Sequence, residues 1–287
     1  MEHFCSSSQD KSYNSSNVTF NDNGSNEEVE FIYVVTCIIV CIGLPLTIVA
    51  IYAVYSLVRK DHVAPIYVIN LLVSDLIQLS CMMVWVAFPE DSKACPVFII
   101  YYFGLVASVC FMVFVALERY LVIAYPLWYR FRRKIKITMG VCVVVWALPL
   151  VYLLTLFFWY ISKVSEILSF IFFLLPLPLL TFFLGGTLKA LSSSISVTSD
   201  EKRRIVGMLV LVLLTYTLLF LPNIIWLMAK GARHNDTFDD LSSVFLRLSP
   251  LADLVLYVFM RKGTIDKLLA SVCCCRMDSN DVSTSTI

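Results

Sequence analysis

Charged residues are scarce in this sequence. Asp, Glu, Lys and Arg make up 15% of its 287 residues, whereas hydrophobic residues make up 59% and the mean hydropathy is +0.83. A soluble domain carries about 25% charged residues. Because the apolar residues are also collected in long blocks, the composition excludes an ordinary soluble domain and predicts an integral membrane protein.

The sequence also lacks the patterns that mark enzymes and nucleic-acid-binding proteins. It has no glycine-rich phosphate loop, no set of His and Cys at metal-ligand spacing, and no nucleophile motif with its partners. A net charge of +1 gives no indication of nucleic-acid binding. We therefore expect neither an enzyme nor a nucleic-acid partner. A membrane transporter is the alternative from another class, although no internal repeat favours it.

Seven apolar stretches are each long enough, at about 20 residues, to span a bilayer as a helix. They cover residues 31–57, 64–88, 95–122, 135–160, 167–191, 205–229 and 241–260. The predicted fold is therefore an all-α membrane protein, a seven-transmembrane helix bundle. Residues 261–269 mix basic and apolar side chains, which predicts a short amphipathic eighth helix on the membrane surface.

Three consecutive cysteines, Cys273, Cys274 and Cys275, follow this predicted eighth helix. Cysteines so close to the membrane are sites of S-palmitoylation. We predict that they are acylated and so contact membrane lipid. The alternative is three unmodified thiols.

The loops between the apolar stretches differ in charge. Basic residues cluster at 130–136, 202–204 and 261–267, whereas the segment before the first stretch is acidic. Basic loops stay on the cytoplasmic side, so the N-terminus is predicted to be extracellular and the C-terminus cytoplasmic. The predicted organisation is an extracellular segment (1–30), a seven-transmembrane domain (31–260), and a cytoplasmic helix and tail (261–287).

Glycosylation sequons of the form N-x-S/T agree with this orientation. They occur at Asn14, Asn17, Asn23 and Asn235, all on the predicted outer side. The sequence therefore predicts a multi-pass glycoprotein of the plasma membrane.

Charged residues inside the apolar stretches are of particular interest, because a charge near lipid is costly unless it is paired, hydrated or functional. Glu118 and Arg119, followed by Tyr120, end the third stretch. Asp75 lies deep in the second stretch, and Arg247 and Asp253 lie in the seventh.

These residues belong to motifs that resemble those of the class A (rhodopsin-like) G-protein-coupled receptors. Besides Glu118-Arg119-Tyr120, the family pattern is matched by Asn70-Leu71 followed by Asp75, by Trp146, by Phe220-Leu221-Pro222, and by Asp253 followed by Tyr257. The resemblance extends over nearly the whole chain. Gly43-Leu44-Pro45 and the aspartate form of the last motif are similar to the branch that holds purinergic, lysolipid and proton-sensing receptors.

The resemblance implies that the protein activates a heterotrimeric G protein, with arrestin and receptor kinases as further candidate partners. It assigns the coupling and switching roles to Glu118, Arg119, Tyr120, Phe220, Pro222 and Tyr257. Glu118 would hold Arg119 in the resting state. A polar cluster of Asp75, Ser108, Ser249 and Asp253 resembles the family's allosteric sodium site. The alternative is a purely structural hydrogen-bond cluster, and no other cofactor is expected.

Arg247 is the most informative residue for the ligand, because a guanidinium in an apolar stretch favours a carboxylate or phosphate partner. With Tyr101, Tyr102, Trp85 and Trp226 it predicts a pocket for an anionic small molecule such as a lysolipid or a nucleotide. Alternatively, Arg247 pairs with backbone carbonyls or Asp240, or extends to the membrane surface. Tyr101 stands where amine receptors carry an aspartate, which argues against a monoamine ligand. Only two histidines lie on the outer side, which disfavours proton sensing.

Several positions depart from the family pattern. Leu254 stands in place of the proline in the seventh-helix motif, and Leu184 or Gly186 in place of a fifth-helix tyrosine. The second outer loop has no cysteine, so Cys5 and Cys95 either form a disulfide together or are both free. These departures keep open a second hypothesis, a decoy or orphan receptor-like protein that does not signal.

Overall fold

The computed structural model describes residues 23–60, 66–88, 95–125, 135–158, 163–193, 199–229 and 236–260. The helices in these ranges are α1 (Asn23–Lys60), α2 (Ile66–Ala87), α3 (Cys95–Ala124), α4 (Ile135–Phe158), α5 (Lys163–Leu174), α6 (Pro176–Ser193), α7 (Ser199–Ala229), α8 (Asp236–Arg247) and α9 (Ser249–Met260). The described ranges contain no β-strand. Within the same ranges, seven helical spans are long and apolar enough to cross a membrane, which confirms the predicted seven-helix bundle. The predicted eighth helix lies outside the described residues.

Several helices extend beyond the apolar stretches that predicted them. Helix α1 begins at Asn23, inside the predicted N-terminal segment, and α7 begins at Ser199, ahead of the predicted start at residue 205. Hydrophobicity marks the part of a helix that faces lipid, whereas the backbone hydrogen bonds continue into polar sequence. The apolar blocks therefore predict the membrane-spanning segments more accurately than they predict the ends of the helices.

The fifth span is divided into α5 and α6 at Leu175. The Leu175 amide still donates to the Ile171 carbonyl at 2.9 Å, and α6 then begins at Pro176. Proline has no amide hydrogen and is tolerated best in the first turn of a helix. Pro222, in contrast, lies within the continuous helix α7.

The seventh span is divided into α8 and α9 at Leu248. The Leu251 amide donates to the Leu248 carbonyl at 3.1 Å, three residues back instead of the usual four. Pro250 follows the break and has no amide hydrogen with which to continue the ladder. The break leaves Arg247 as the last residue of α8, where the negative end of the helix dipole favours a cation.

Helix α3 lies at the centre of the bundle and packs against α2, α4, α6 and α7. Its inner residues Leu105, Phe111 and Met112 have no exposed surface. Large apolar side chains such as Val143 and Phe182, on other helices, point outward and are 69% and 61% exposed. An apolar exterior around a packed interior is the arrangement that a lipid environment favours.

Three stacked aromatic side chains connect the fifth and sixth spans. The Tyr216 hydroxyl donates a 2.6 Å hydrogen bond to the Phe173 carbonyl of α5. The Tyr216 ring stacks on Phe220 with centroids 4.6 Å apart, and Phe220 stacks on Phe173 at 5.9 Å. Tyr216 and Phe220 have no exposed surface, so this cluster joins α5 to α7 in the core.

Substitution of Tyr216 by phenylalanine is expected to lower stability by about 1 kcal/mol, because it leaves the stack intact and removes one buried hydrogen bond. Thermal unfolding of the purified protein would measure the loss. Tyr101→Phe is the matched control, since the Tyr101 hydroxyl is buried and has no hydrogen-bond partner in the part of the chain that the structure describes. Equal melting temperatures for the two variants would show that the Tyr216 bond adds no stability.

Candidate ligand site and signalling site

Arg247 lies between the first, second and seventh spans. Its Nη1 donates to Thr36 Oγ1 at 2.7 Å, and the Thr36 hydroxyl donates in turn to the Ile32 carbonyl at 2.7 Å. The guanidinium carbon lies 5.4 Å from the centroid of the Trp85 ring, within the range of a cation–π contact. Thr36 and Trp85 therefore hold the guanidinium within the bundle. The Asp240 side chain, an alternative partner in the sequence-based prediction, lies outside the described residues.

Tyr101 completes this group from α3. Its ring lies 4.9 Å from Trp85 and 5.5 Å from Tyr102, measured between centroids. The Tyr101 side chain is 4% exposed, and its hydroxyl has no hydrogen-bond partner among the described residues. Arg247 is close enough to act on this hydroxyl electrostatically. The structure thus brings together four of the five predicted pocket residues, while the side chain of the fifth, Trp226, lies outside the described part.

Three of the four predicted sodium-site residues, Asp75, Ser108 and Asp253, also come together, and the fourth, Ser249, lies four residues before Asp253 in α9. Asp75, Ser108, Ser249 and Asp253 all have no exposed surface. Ser108 Oγ donates to Asp253 Oδ2 at 2.8 Å, and Asp75 interacts with both of these residues. One oxygen of each carboxyl group and the Ser249 hydroxyl have no hydrogen-bond partner in the described ranges. Two adjacent buried carboxyl groups require a shared proton or a bound cation, because two uncompensated charges are too costly.

Gln78 belongs to this cluster and was missed in the sequence analysis. Its Nε2 lies 3.5 Å from both Asp75 Oδ1 and the Ser74 carbonyl oxygen. A side chain at Gly104 would place its Cβ 3.0 Å from the Gln78 Cγ, so the glycine makes room for the amide. The sequence could have indicated this contact, because Gln78 lies three residues after Asp75 and residues three apart share one face of a helix.

Asn70 and Trp146, which carry part of the family resemblance, are in direct contact. Trp146 Nε1 donates to Asn70 Oδ1 at 2.8 Å, and Asn70 Nδ2 donates to the Ile66 carbonyl at 2.8 Å. The Trp146 ring lies 5.3 Å from Phe111 and 5.6 Å from Phe103. This contact joins α2, α3 and α4.

Glu118 and Arg119 lie near the opposite end of α3 from Tyr101. Glu118 acts electrostatically on Tyr67 of α2 and Cys142 of α4. The Glu118 Oε2 and Arg119 Nε atoms are buried. Consecutive helical residues point in different directions, which explains why Glu118 is directed toward α2 and α4. The restraint of Arg119 by Glu118 stays a prediction.

Tyr120 packs against the fifth span. Its ring stacks on Phe183 at 5.8 Å between centroids and lies 5.9 Å from Phe182. A Cβ at Gly186 would lie only 2.5 Å from Tyr120 Cε2, so the close approach requires a residue without a side chain. Tyr257, in α9, instead packs against an apolar cluster that includes Val54 and Leu72.

The remaining predicted sites belong to parts of the chain that the structure does not describe. Those sites are Asn14, Asn17, Asn235, Cys5, the Cys95 side chain, Cys273, Cys274 and Cys275. Asn23 is the first residue of α1, and its side chain is not described. The predictions of glycosylation, disulfide formation and palmitoylation stay predictions.

Known proteins share parts of this sequence. Residues 46–167 match the model of the family described as "7 transmembrane receptor (rhodopsin family)". Similar proteins include bovine G-protein coupled receptor 68, 24% identical over 80% of this chain and 74% of the relative. Human Mas-related G-protein coupled receptor member X1 is 32% identical over 41% of this chain, and mouse G-protein coupled receptor 55 is 30% identical over 37%.

The chain spans 37% and 36% of the length of the last two relatives, and about three quarters of the first. The matches confirm the resemblance drawn from Glu118-Arg119-Tyr120 and the accompanying motifs. The seven helical spans also confirm the prediction of a multi-pass membrane protein, and the matched relatives are named as receptors. The chain is thus similar to the rhodopsin family of seven-transmembrane receptors, over residues 46–167 in the family model and over most of its length in the bovine relative.

Proposed function

We propose that this protein is a plasma-membrane receptor that binds an extracellular anionic small molecule and activates a heterotrimeric G protein. The observation that carries the proposal is the position of Arg247, held between Thr36 and Trp85 beside the buried Tyr101 hydroxyl. A guanidinium binds carboxylate and phosphate through paired, charge-assisted hydrogen bonds. The neighbouring Tyr101 hydroxyl is a further donor, and no acceptor among the described residues forms a hydrogen bond with it.

Helix α3 connects this proposed ligand site to the proposed G-protein site. Tyr101 and Arg119 are 18 residues apart in α3, which corresponds to roughly 27 Å along a helix. Ligand binding would act on the upper ends of the spans, and release of Arg119 would present its charge to the G protein. The N-terminus is proposed to be extracellular, and the Asp75–Asp253 cluster to bind sodium in the resting state.

Second-messenger assays in cells that express the chain would test this function. We would measure cAMP and calcium during exposure to nucleotides, lysolipids, fatty acids and acidic medium, with surface expression recorded for every variant. Arg119→Ala is expected to reduce output to below about a tenth while ligand binding persists, since it removes a charged contact to the G protein. Arg247→Gln is expected to abolish binding and output together.

The two variants therefore control for each other. Loss of output in both, with normal surface levels and with binding retained only in Arg119→Ala, would support a signalling receptor with an anion site. No output from the wild-type protein under any condition, despite normal surface expression, would favour the non-signalling decoy.

A further inference from the structure

We propose that the Gln78 side chain is a further ligand of a cation between Asp75 and Asp253, and that its amide oxygen completes a site for sodium. This inference rests on the sodium binding included in the proposed function, and it adds a residue that the family resemblance does not include. Four features of the described residues support it: the burial of the amide, its distance from Asp75, the excess of acceptor oxygens, and the charge of the cluster.

The Gln78 amide is buried, and a buried polar group without strong partners is unfavourable. The side chain has no exposed surface, and its Oε1 has no hydrogen-bond partner among the described residues. Its Nε2 lies 3.5 Å from both Asp75 Oδ1 and the Ser74 carbonyl oxygen, whereas an N–H···O hydrogen bond is normally about 2.9 Å long. The amide is therefore directed at the Asp75 carboxyl group and forms only long contacts there.

The distance between Gln78 and Asp75 fits two oxygens that bind one ion. The nitrogen and the oxygen of a side-chain amide exchange places when the group turns by half a rotation, and the two orientations have nearly the same shape. After such a turn, Gln78 Oε1 would lie 3.5 Å from Asp75 Oδ1, where the nitrogen lies now. Ca²⁺, which has nearly the same radius as Na⁺, lies about 2.3–2.6 Å from its oxygen ligands. Two such ligands at right angles about the ion are about 3.3–3.7 Å apart, which includes the observed spacing.

The cluster contains more oxygen acceptors than its donors satisfy. Asp75 Oδ2, Asp253 Oδ1 and Gln78 Oε1 are all buried without a hydrogen-bond partner in the described ranges. The Ser108 hydroxyl is already used, since it donates to the other oxygen of Asp253 at 2.8 Å. A proton shared between the two carboxyl groups would leave the amide oxygen unsatisfied, whereas one cation can bind oxygens of all three residues.

A neutral ligand also matches the charge of a monovalent cation. Asp75 and Asp253 carry two negative charges when both are ionised, so one sodium ion and one proton neutralise them. A carboxylate at position 78 would leave a further negative charge uncompensated in a membrane span, which is costly. The Gln78 amide instead adds an oxygen without adding charge. Gly104 leaves space for it, since a Cβ there would lie 3.0 Å from the Gln78 Cγ and 3.1 Å from the Ser74 carbonyl oxygen.

The test measures the sodium dissociation constant of the purified protein in nanodiscs. Sodium chloride replaces choline chloride at constant ionic strength, and the rise of the melting temperature with sodium concentration gives the constant. Gln78→Met keeps the length of the side chain and removes the amide, and it is expected to weaken sodium binding by about tenfold. Ser74→Ala is the matched control, because the Ser74 hydroxyl is buried in the same helix and donates to the Leu71 carbonyl at 2.6 Å. It is expected to keep the wild-type constant.

Gly104→Ala tests the same contact with the amide still present. The new Cβ would push against the Gln78 side chain, so this variant is expected to weaken sodium binding by about twofold or more. In the Gln78→Met background the same substitution is expected to have no further effect on sodium binding. A purely structural role of Gln78 would lower the melting temperature equally in both salts and leave the sodium constant unchanged.

The outcomes separate this inference from the proposals on which it rests. A wild-type sodium constant in Gln78→Met, or an equal loss in Ser74→Ala, would overturn the inference and leave sodium binding at the two carboxyl groups standing. If Gln78→Met does not fold, a wild-type sodium constant in Gly104→Ala would overturn the inference in the same way. A wild-type protein whose melting temperature does not respond to sodium would overturn both sodium binding and the inference. Ligand binding and G-protein coupling are tested separately by the second-messenger assays.

Discussion

Gly186→Val is expected to destabilise the protein by about 1–3 kcal/mol, because the new side chain would occupy the position of the Tyr120 ring. Even the Cβ alone would lie 2.5 Å from Tyr120 Cε2. To avoid the clash, Tyr120 must rotate away and lose its stack on Phe183, a contact worth about 0.5–1.5 kcal/mol. The melting temperature of the purified protein would report the change.

The neighbouring glycine provides the matched control. A Cβ at Gly185 meets no atom within 4 Å, so Gly185→Ala is expected to stabilise the helix by about 0.5–1 kcal/mol. Gly186→Ala should instead lower the stability, because its Cβ would meet the Tyr120 ring. Addition of Tyr120→Ala to Gly186→Ala removes the atom that clashes, so the double variant should lose less stability than the two single losses added together. Identical effects of alanine at 185 and 186 would contradict the observed close approach.

The second large effect is expected at the two buried carboxyl groups. If sodium binds between Asp75 and Asp253, replacing choline chloride by sodium chloride at constant ionic strength should stabilise the resting protein. The gain is about 1.4 kcal/mol when sodium is present at tenfold its dissociation constant. Asp75→Asn and Asp253→Asn should each abolish this sodium dependence, because a single carboxyl group can be neutralised by a proton alone.

Glu118→Gln makes the same chemical change outside this cluster, at a residue that acts on Tyr67 and Cys142, and should preserve the sodium effect. A wild-type protein indifferent to sodium would contradict ion binding. Suppose that, in addition, the Asp75→Asn variant melted at a higher temperature than the wild-type protein. The cluster would then be a hydrogen-bond network that shares a proton, which is the structural alternative. In both cases, thermal unfolding in the two salts is the measurement.

The spans and the motif residues could be predicted from the sequence because their signals are local. Long apolar blocks mark the seven spans, and Asp75, Ser108 and Asp253 stand out as polar residues inside them. The break before Pro176 also has a local signal, since proline cannot continue a backbone ladder. The break at Leu248 has the same signal in Pro250, and it was overlooked.

The partners of the functional side chains could not be predicted, because they depend on packing between distant segments. Thr36, which accepts the hydrogen bond from Arg247, is 211 positions away in the chain. From the sequence, Gly186 was only one of two positions at which a fifth-helix tyrosine is missing. The structure shows that the Tyr120 ring packs closely against this glycine. No pattern within either helix predicts that these two residues meet.

The break at Leu248 has a mechanical consequence. Helix α8, which ends at Arg247, packs on α1 and α7, whereas α9, which carries Asp253, packs on α2 as well as on α1 and α7. The two halves of the seventh span are therefore joined by a one-residue joint. A ligand that pulls on the Arg247 guanidinium would exert a torque about this joint. The lever arm on its other side carries the carboxyl group of Asp253 and, one turn further, Tyr257.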